Sequence, residues 1–457
     1  MILSAQTTKR KILHLLLLLL SGAMIFSCAS KVKHYPVINQ HLSNQNYDQA
    51  LQVIKDNKDA YPKRNAALYY MEEGILAHFA LRYKESNRSL SRAEQIMDEL
   101  YTRSISKQTA SFLINDNTIP YRGEDFESAM VNLFMALNYV GLGLKDEALV
   151  EARKVDNKLN IINSRYSEDK KNVYKEDAFI RFLMGVLYEA DGEDNDAFIS
   201  YRKAEEIYRT DYQQNYGVSP PIILIENLLS SAKAMDFDQE LTEIQGQYSD
   251  VTFMAPAKKR EMAEIYCIHY NGPGAEKAEK RWIVPLPDGY VVKIAYPKFN
   301  KRYFQIARGV INLKSLSSGS SYQFPTVLME GISSIAIKNL ENRTGRVKAK
   351  AIARATTKYL ATKAASKKAK EKEGKLVGFL VQAAGNIVSV ATEQADIRHW
   401  RLLPAEIRVG KISVPPGEYE GRINFVNASG AIIASREIQH FTVEGGEKRF
   451  FTYRTLN

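Results

Sequence analysis

A chain of 457 residues is too long for one hydrophobic core and calls for two or three domains. Its 45% hydrophobic and 25% charged residues are those of an ordinary globular protein, which excludes a chain without a packed core, and two cysteines are too few for a disulfide framework. The formal net charge of +11 favours anionic partners without choosing among nucleic acid, lipid headgroups and acidic glycans.

Residues 1–27 read as a secretory leader. Lys9, Arg10 and Lys11 form a basic start, and Leu15 to Leu20 with Ala23 to Phe26 form an apolar core of about a dozen residues, short of the roughly 20 that span a bilayer. Ile25-Phe26-Ser27-Cys28 then resembles the bacterial lipobox, in which the cysteine is acylated and becomes the mature N-terminus; Phe26 is atypical of it. The competing reading is a single transmembrane anchor with an incidental cysteine. Two or three acyl chains would hold the protein on a membrane, each buried methylene contributing about 0.8 kcal/mol. Ala29 stands where an aspartate would signal inner-membrane retention, so the resemblance implies the outer membrane, facing the periplasm. With Cys28 acylated, Cys267 has no partner for a disulfide, and its apolar surroundings predict a buried, inert thiol.

Residues 28–36 form a polar tether, and a helical region runs over 37–248. Its first unit places Leu42, Tyr47, Ala50, Leu51 and Ile54 on one face; its second carries Tyr70, Gly74, Ala77, Tyr83, Leu90 and Ala93. The third, Phe126 to Leu159, is a helical hairpin broken at Gly141 and Gly143, with small residues at Ala136, Gly143, Ala148 and Ala152 and an aromatic at Tyr139. In the fourth, Gly185, Tyr188, Ala197, Tyr201 and Ala204 fall at the intervals of a tetratricopeptide repeat. Gly74, Ala136 and Gly185 are 62 and 49 residues apart rather than the consensus of about 34, so insertions separate the units, notably 101–123 and 160–174. A generic helical bundle would also show small and aromatic residues at helical spacing. Asp125 and Glu127, at the start of the third unit, suit a helix N-terminus, where capping explains two acids without chemistry. Two further helices, 221–235 and 237–248, close the array, and repeats that cannot bury their faces alone must stack, leaving a concave face able to grip protein segments.

From Glu261 the period changes to that of strands. Eight or so short strands over 257–457, broken at Pro415-Pro416-Gly417, Asn427 to Gly430 and Gly445-Gly446, suggest an antiparallel β-sandwich, with a barrel as the alternative. A helical insertion at about 328–395 interrupts them. Leu328 to Leu340 begins it; Arg346 to Lys372 carries ten Lys or Arg against one Glu; and the stretch from Lys375 is almost uncharged for some seventeen residues. Two readings compete: the basic helix at 346–372 contacts anionic lipid while the apolar one dips into a bilayer or packs in an oligomer through Gly378, Ala384 and Gly385, or both cover the sandwich as a hairpin. The expected fold class is therefore α+β and multidomain, a tetratricopeptide-like helical array followed by a β-sandwich-like domain with a helical insertion.

Five phrases occur together: IPYRGEDFE (119–127), ALNYVGLGLKDEALVEARK (136–154), YNGPGAEKAEKRWIVPLPDG (270–289), AIARATTKY (351–359) and TEQADIRHWRLLPAEIRVGKISVPPGEY (392–419). They resemble an uncharacterised family of bacterial outer-membrane lipoproteins with tetratricopeptide-like repeats and a C-terminal β-rich domain. That resemblance implies an envelope protein, sometimes grouped with regulators of cell-wall synthesis, and brings no catalytic residue with it. Glu393, Asp396, Arg398 and Trp400 lie where the insertion returns to the sheet, and an ion pair of Asp396 with Arg398 or Arg401 would fix that junction; it is the first place to look for an interaction site.

The seven histidines form no metal-spaced pair, and no GxSxG elbow, phosphate-binding loop or cysteine cluster is present. Sequence alone thus predicts a non-enzymatic, lipid-anchored scaffold or adaptor without cofactor or metal. Its repeats would bind envelope proteins, nucleic acid would play no part, and homo-oligomers remain open. The alternative is a structural subunit of an outer-membrane export or surface assembly.

Overall fold

A computed structural model describes residues 34–106, 116–164 and 172–457. The leader, Cys28 and most of the tether lie outside the described residues.

Helices α1 (Tyr35–Ser43) and α2 (Tyr47–Asp56), α3 (Ala66–Phe79) and α4 (Tyr83–Ser106), α5 (Asp125–Gly141) and α6 (Lys145–Asn163), α7 (Ala178–Ala190) and α8 (Asp194–Ile207), and α9 (Ile222–Ala234) and α10 (Asp238–Gln247) form five hairpins. Every hairpin turns through one residue of positive φ: Gln45 (59°), Leu81 (58°), Gly143 (71°), Gly192 (77°) and Asp236 (52°). At each, the following N–H reaches the carbonyl five residues back, as Asn46 to His41, Arg82 to Ala77, Leu144 to Tyr139, Glu193 to Tyr188 and Phe237 to Ala232. Such a bond satisfies a carbonyl that the helix end leaves open. The repeat is thus visible as a recurring helix stop, whichever side chain occupies it.

Within the hairpins, the small residues mark close helix contacts. A Cβ on Gly185 would stand 2.4 Å from the Tyr201 ring, and one on Gly74 would stand 2.6 Å from Leu90. Ala93, Ala136, Ala148, Ala197 and Ala204 have no exposed surface. Tyr139 is half-buried against the same core, Tyr188 is buried, and Gly143 faces open space, its role being the turn. Helix starts carry their own signals: Glu124 and Glu127 form a capping box on α5, and the Asp177 side chain accepts the Ile180 N–H at 2.7 Å to start α7.

After the short α11 (Pro256–Glu261) come ten strands among the described residues: β1 (Ala263–Pro273), β2 (Glu276–Pro285), β3 (Val291–Asn300), β4 (Arg308–Ser315), β5 (Ser321–Pro325), β6 (Val327–Glu330), β7 (Pro404–Val414), β8 (Gly417–Val426), β9 (Ile432–Val443) and β10 (Lys448–Thr455). One sheet has the order β10-β1-β7-β6, the other β5-β4-β8-β9, and β2-β3 form a separate ribbon. The expected all-antiparallel sandwich is corrected at β1, which pairs parallel with β10 from Glu264↔Lys448 to Asn271↔Thr455. That pairing joins residues far apart in the chain, so strand alternation could not reveal it.

β1 is buried along its whole length. Ala263, Ile265 and Cys267 point to the second sheet, meeting Ile311, Leu313, Ile423 and Phe425, while Tyr266, Ile268 and Tyr270 point to the helical array. The molecule is therefore three layers deep: sheet, sheet, helical array. The Cys267 thiol, buried in the middle layer, is pushed up by burial.

The insertion also departs from expectation. Leu328 to Glu330 belong to β6, paired with β7, because Met329 fills the shared core. A single helix α12 (Ile332–Glu373) then runs 42 residues without a break at Gly345, turns at Gly374 (φ 95°) and returns as α13 (Lys375–Thr392). The first turns of α12 pack in the shared core beside β7, and the hairpin then packs on β3 of the ribbon.

Candidate functional site in the helical groove

The inner helices α3, α5 and α7 are buried around their whole circumference, Ala129 through Asn138 without interruption in α5. A helix apolar on every side needs cover on every side. Outer helices supply half of it; the other half comes from the chain's own β1, β6 and β7 and from the extended stretch between α13 and β7. The concave face is filled from within.

That stretch is held as a peptide would be. Glu127 of α5 accepts the Trp400 N–H at 2.7 Å, and Glu72 of α3 accepts the Arg401 N–H at 3.3 Å. Glu127 also receives the Tyr121 hydroxyl at 2.6 Å and the Glu124 N–H at 2.9 Å; Glu72 receives the Tyr35 hydroxyl at 2.6 Å on the same oxygen, leaving Oε2 without a partner. Burial raises Glu72 to about 8. Burial and then the Glu124 charge raise Glu127 to about 7. Glu124 goes the other way: burial opposes ionisation, but Lys277 of β2 and Arg343 of α12 both grip it and hold the carboxylate far below its usual range.

The four junction residues take distinct places. Arg398 forms a forked pair with Asp396, Nη2 to Oδ2 at 2.6 Å and Nε to Oδ1 at 2.9 Å. It also donates to Asn65 Oδ1 at 2.9 Å and to the Ile119 carbonyl at 3.0 Å, and lies over the Tyr121 ring. Trp400 is buried against Phe134, ring centroids 5.9 Å apart. Glu393 is buried away from the groove, where Arg354 and Lys358 of α12 neutralise it. The structure thus brings Asp396, Arg398 and Trp400 to the helices and leaves Glu393 at the root of the insertion. Arg401 lies over the Tyr35 ring, its guanidinium carbon 5.0 Å from the centroid.

Sequence reading missed Glu72, Glu124, Lys277 and Arg343. A signal existed: Glu72 and Glu73 interrupt a largely apolar helix, and a carboxylate buried there must meet a donor. His78, further along α3, is pinned by Asn138 at 2.6 Å and Tyr270 at 2.8 Å, and burial lowers it to about 4. His399, likewise, is lowered by burial to about 3. Both imidazoles are neutral structural links.

A second buried charge cluster joins the far end of the array to the first sheet. Glu264 of β1 stands between Lys259 of α11, Lys411 of β7 and Lys448 of β10, and Glu189 of α7 meets Lys259 and Lys448. Burial opposes ionisation of Glu264, but the three ammonium groups hold its carboxyl well below the usual range. A cleft of about 300 Å³ includes Glu94, Asp98, Lys154 and Lys158 in its wall; Lys158 pairs with Glu94 at 2.9 Å and with Asp98 at 3.5 Å, so these charges are already spent. No group of three metal-binding side chains occurs among the described residues.

No protein-family model matches this chain, and a comparison with curated proteins gives no match. Among solved structures, BtubC (BKLC) from P. vanneervenii is similar over 47% of this chain and 76% of that one, at 13% identity and a TM-score of 0.32. A Podosopora anserina putative kinesin light chain with nearly identical TPR-like repeats is similar over 48% of this chain and 93% of that one, at 13% identity and a TM-score of 0.31. The tetratricopeptide-like character of this chain rests on its own turns and small-residue contacts.

Proposed function

We propose that this protein is a non-enzymatic, lipid-anchored scaffold of the bacterial cell envelope, held by Cys28 on the outer membrane and facing the periplasm. The observation that carries the scaffold reading is the groove itself, a helical array that grips an extended polypeptide by its backbone N–H groups, through Glu72 and Glu127, and by one buried indole. Because this chain's own segment fills that groove, envelope partners meet the outer helices and the rim. The leader and the Ile25-Phe26-Ser27-Cys28 motif support the anchor.

Two measurements test these parts separately. Cys28→Ser should abolish incorporation of labelled fatty acid and release the protein from membranes under a high-salt wash; unchanged labelling overturns the anchor. Crosslinking in membranes, followed by gentle solubilisation, mass spectrometry and native sizing, should return discrete envelope proteins with a small native mass. A large homomeric particle would replace the scaffold with the second reading, a subunit of an export or surface assembly, which the exposed apolar α13 favours. Gly378 and Gly385 are not available for such packing: a Cβ at Gly378 would meet Lys370 at 2.7 Å and one at Gly385 would meet Thr362 at 2.5 Å, both on α12.

A further inference from the structure

The ribbon supports the α12–α13 hairpin only along part of its length. At the β2–β3 turn, Asp288 accepts the Tyr359 hydroxyl at 2.8 Å, its carbonyl accepts the Gln382 amide at 3.0 Å, and Asn386 exchanges two bonds with the backbone of Val291. Lys363 reaches back to Asp288 at 3.5 Å, and from Ala364 to the Gly374 turn the two helices run on with each other as partners, for about 15 Å at the helical rise.

What that projecting end exposes is chemically two-sided. α13 is the described helix long and apolar enough to cross a membrane, yet 6% of its 18 residues are buried. Leu376 and Phe379 are 68% and 67% exposed, and Leu380, Ile387 and Leu360 join them at the surface. Beside this stripe, residues 360–375 carry six lysines against two glutamates. Lys367, Lys368, Lys370 and Lys372 are exposed and make no ion pair among the described residues.

We infer that the end of the α12–α13 hairpin is a membrane-docking arm that lies in the headgroup region of an anionic bilayer, with Leu376, Phe379 and Leu380 buried among acyl chains and the lysines among headgroup charges. Exposed apolar surface of this extent on a protruding element needs cover. A transmembrane hairpin is excluded because the outgoing end of α12 would carry its lysines through the hydrocarbon, at a cost of about 2.5–3.5 kcal/mol for each one near the centre. Pairing with a second copy would bring two lysine collars together, whereas anionic lipid neutralises them. An interfacial helix pair meets both demands. The inference holds whether or not Cys28 is acylated, and it makes the arm a second, salt-sensitive contact beside the anchor.

The test reads the arm alone. In the full chain carrying Cys28→Ser, an environment-sensitive nitrobenzoxadiazole label is placed on Leu376→Cys; Cys267 is buried and does not compete for it. Vesicles of phosphatidylglycerol and phosphatidylethanolamine should blue-shift and brighten the label, vesicles of phosphatidylcholine much less, and a label on the exposed Ile432→Cys of β9 should respond to neither. Adding Lys367→Gln and Lys370→Gln should weaken binding to the anionic vesicles by about 25-fold, roughly fivefold for each lysine. A silent label with anionic vesicles overturns the arm. So does a label that shifts with protein concentration in the absence of lipid, which would identify a second copy as the occupant.

Discussion

Glu72 shows how one buried side chain couples the groove to pH. Its folded value, about 8, lies above that of an exposed carboxyl, so the folded protein binds its proton more tightly than the unfolded chain does. The stability that proton brings is fully present below the unfolded pKa and is lost as pH rises through about 8. Glu72→Gln should flatten this loss. The amide keeps an acceptor for Tyr35 and Arg401 and sets its nitrogen where Oε2 has no partner. Thermal midpoints measured from about pH 5 to about pH 8 should therefore show the wild-type advantage over the variant shrinking as pH rises; parallel curves would refute the assignment. Glu127 lacks this tolerance, since both of its oxygens already accept hydrogen bonds.

At the scale of elements, the five hairpin turns are one device built from different residues. Gly143 and Gly192 adopt positive φ without strain, whereas Leu81 at 58° brings a Cβ against its own backbone. The left-handed region costs a residue with a Cβ about 1–2 kcal/mol, and glycine returns roughly half of that as unfolded-state entropy. Leu81→Gly should therefore stabilise the protein by up to about 1 kcal/mol, read as an increased denaturation midpoint at constant slope. A lowered midpoint would mean that the exposed leucine makes contacts the turn depends on. The same turns explain why the repeats were legible without regular spacing. Gly143, Gly185 and Tyr201 announce a stop, a close approach and the ring that fills it, whatever insertions lie between units.

For the whole molecule, the decisive fact is that helices and sheet share one core, Phe134 meeting Tyr270 and Trp400, and Phe182 meeting Tyr266. The two halves of the chain should then unfold together. Far-ultraviolet signals, dominated by helix, and the fluorescence of Trp282 and Trp400, both in the strand-rich half, should fall on one denaturation curve; two separated transitions would contradict the shared core. Trp400→Ala, which empties the centre of that contact, should cost about 3–5 kcal/mol while leaving the two probes coincident. Periodicity alone determined that helical hairpins come first and that short strands follow, because burying one face imposes a repeat of 3.6 or of 2 on local sequence. It also placed Met130, Leu133, Phe134, Leu137 and Val140 at helical spacing in what is α5. What covers that helix was decided only in three dimensions. The parallel pairing of β1 with β10, the threading of 396–401 between Glu72 and Glu127, and the bare end of α12–α13 all depend on contacts between residues distant in the chain, which local pattern does not encode.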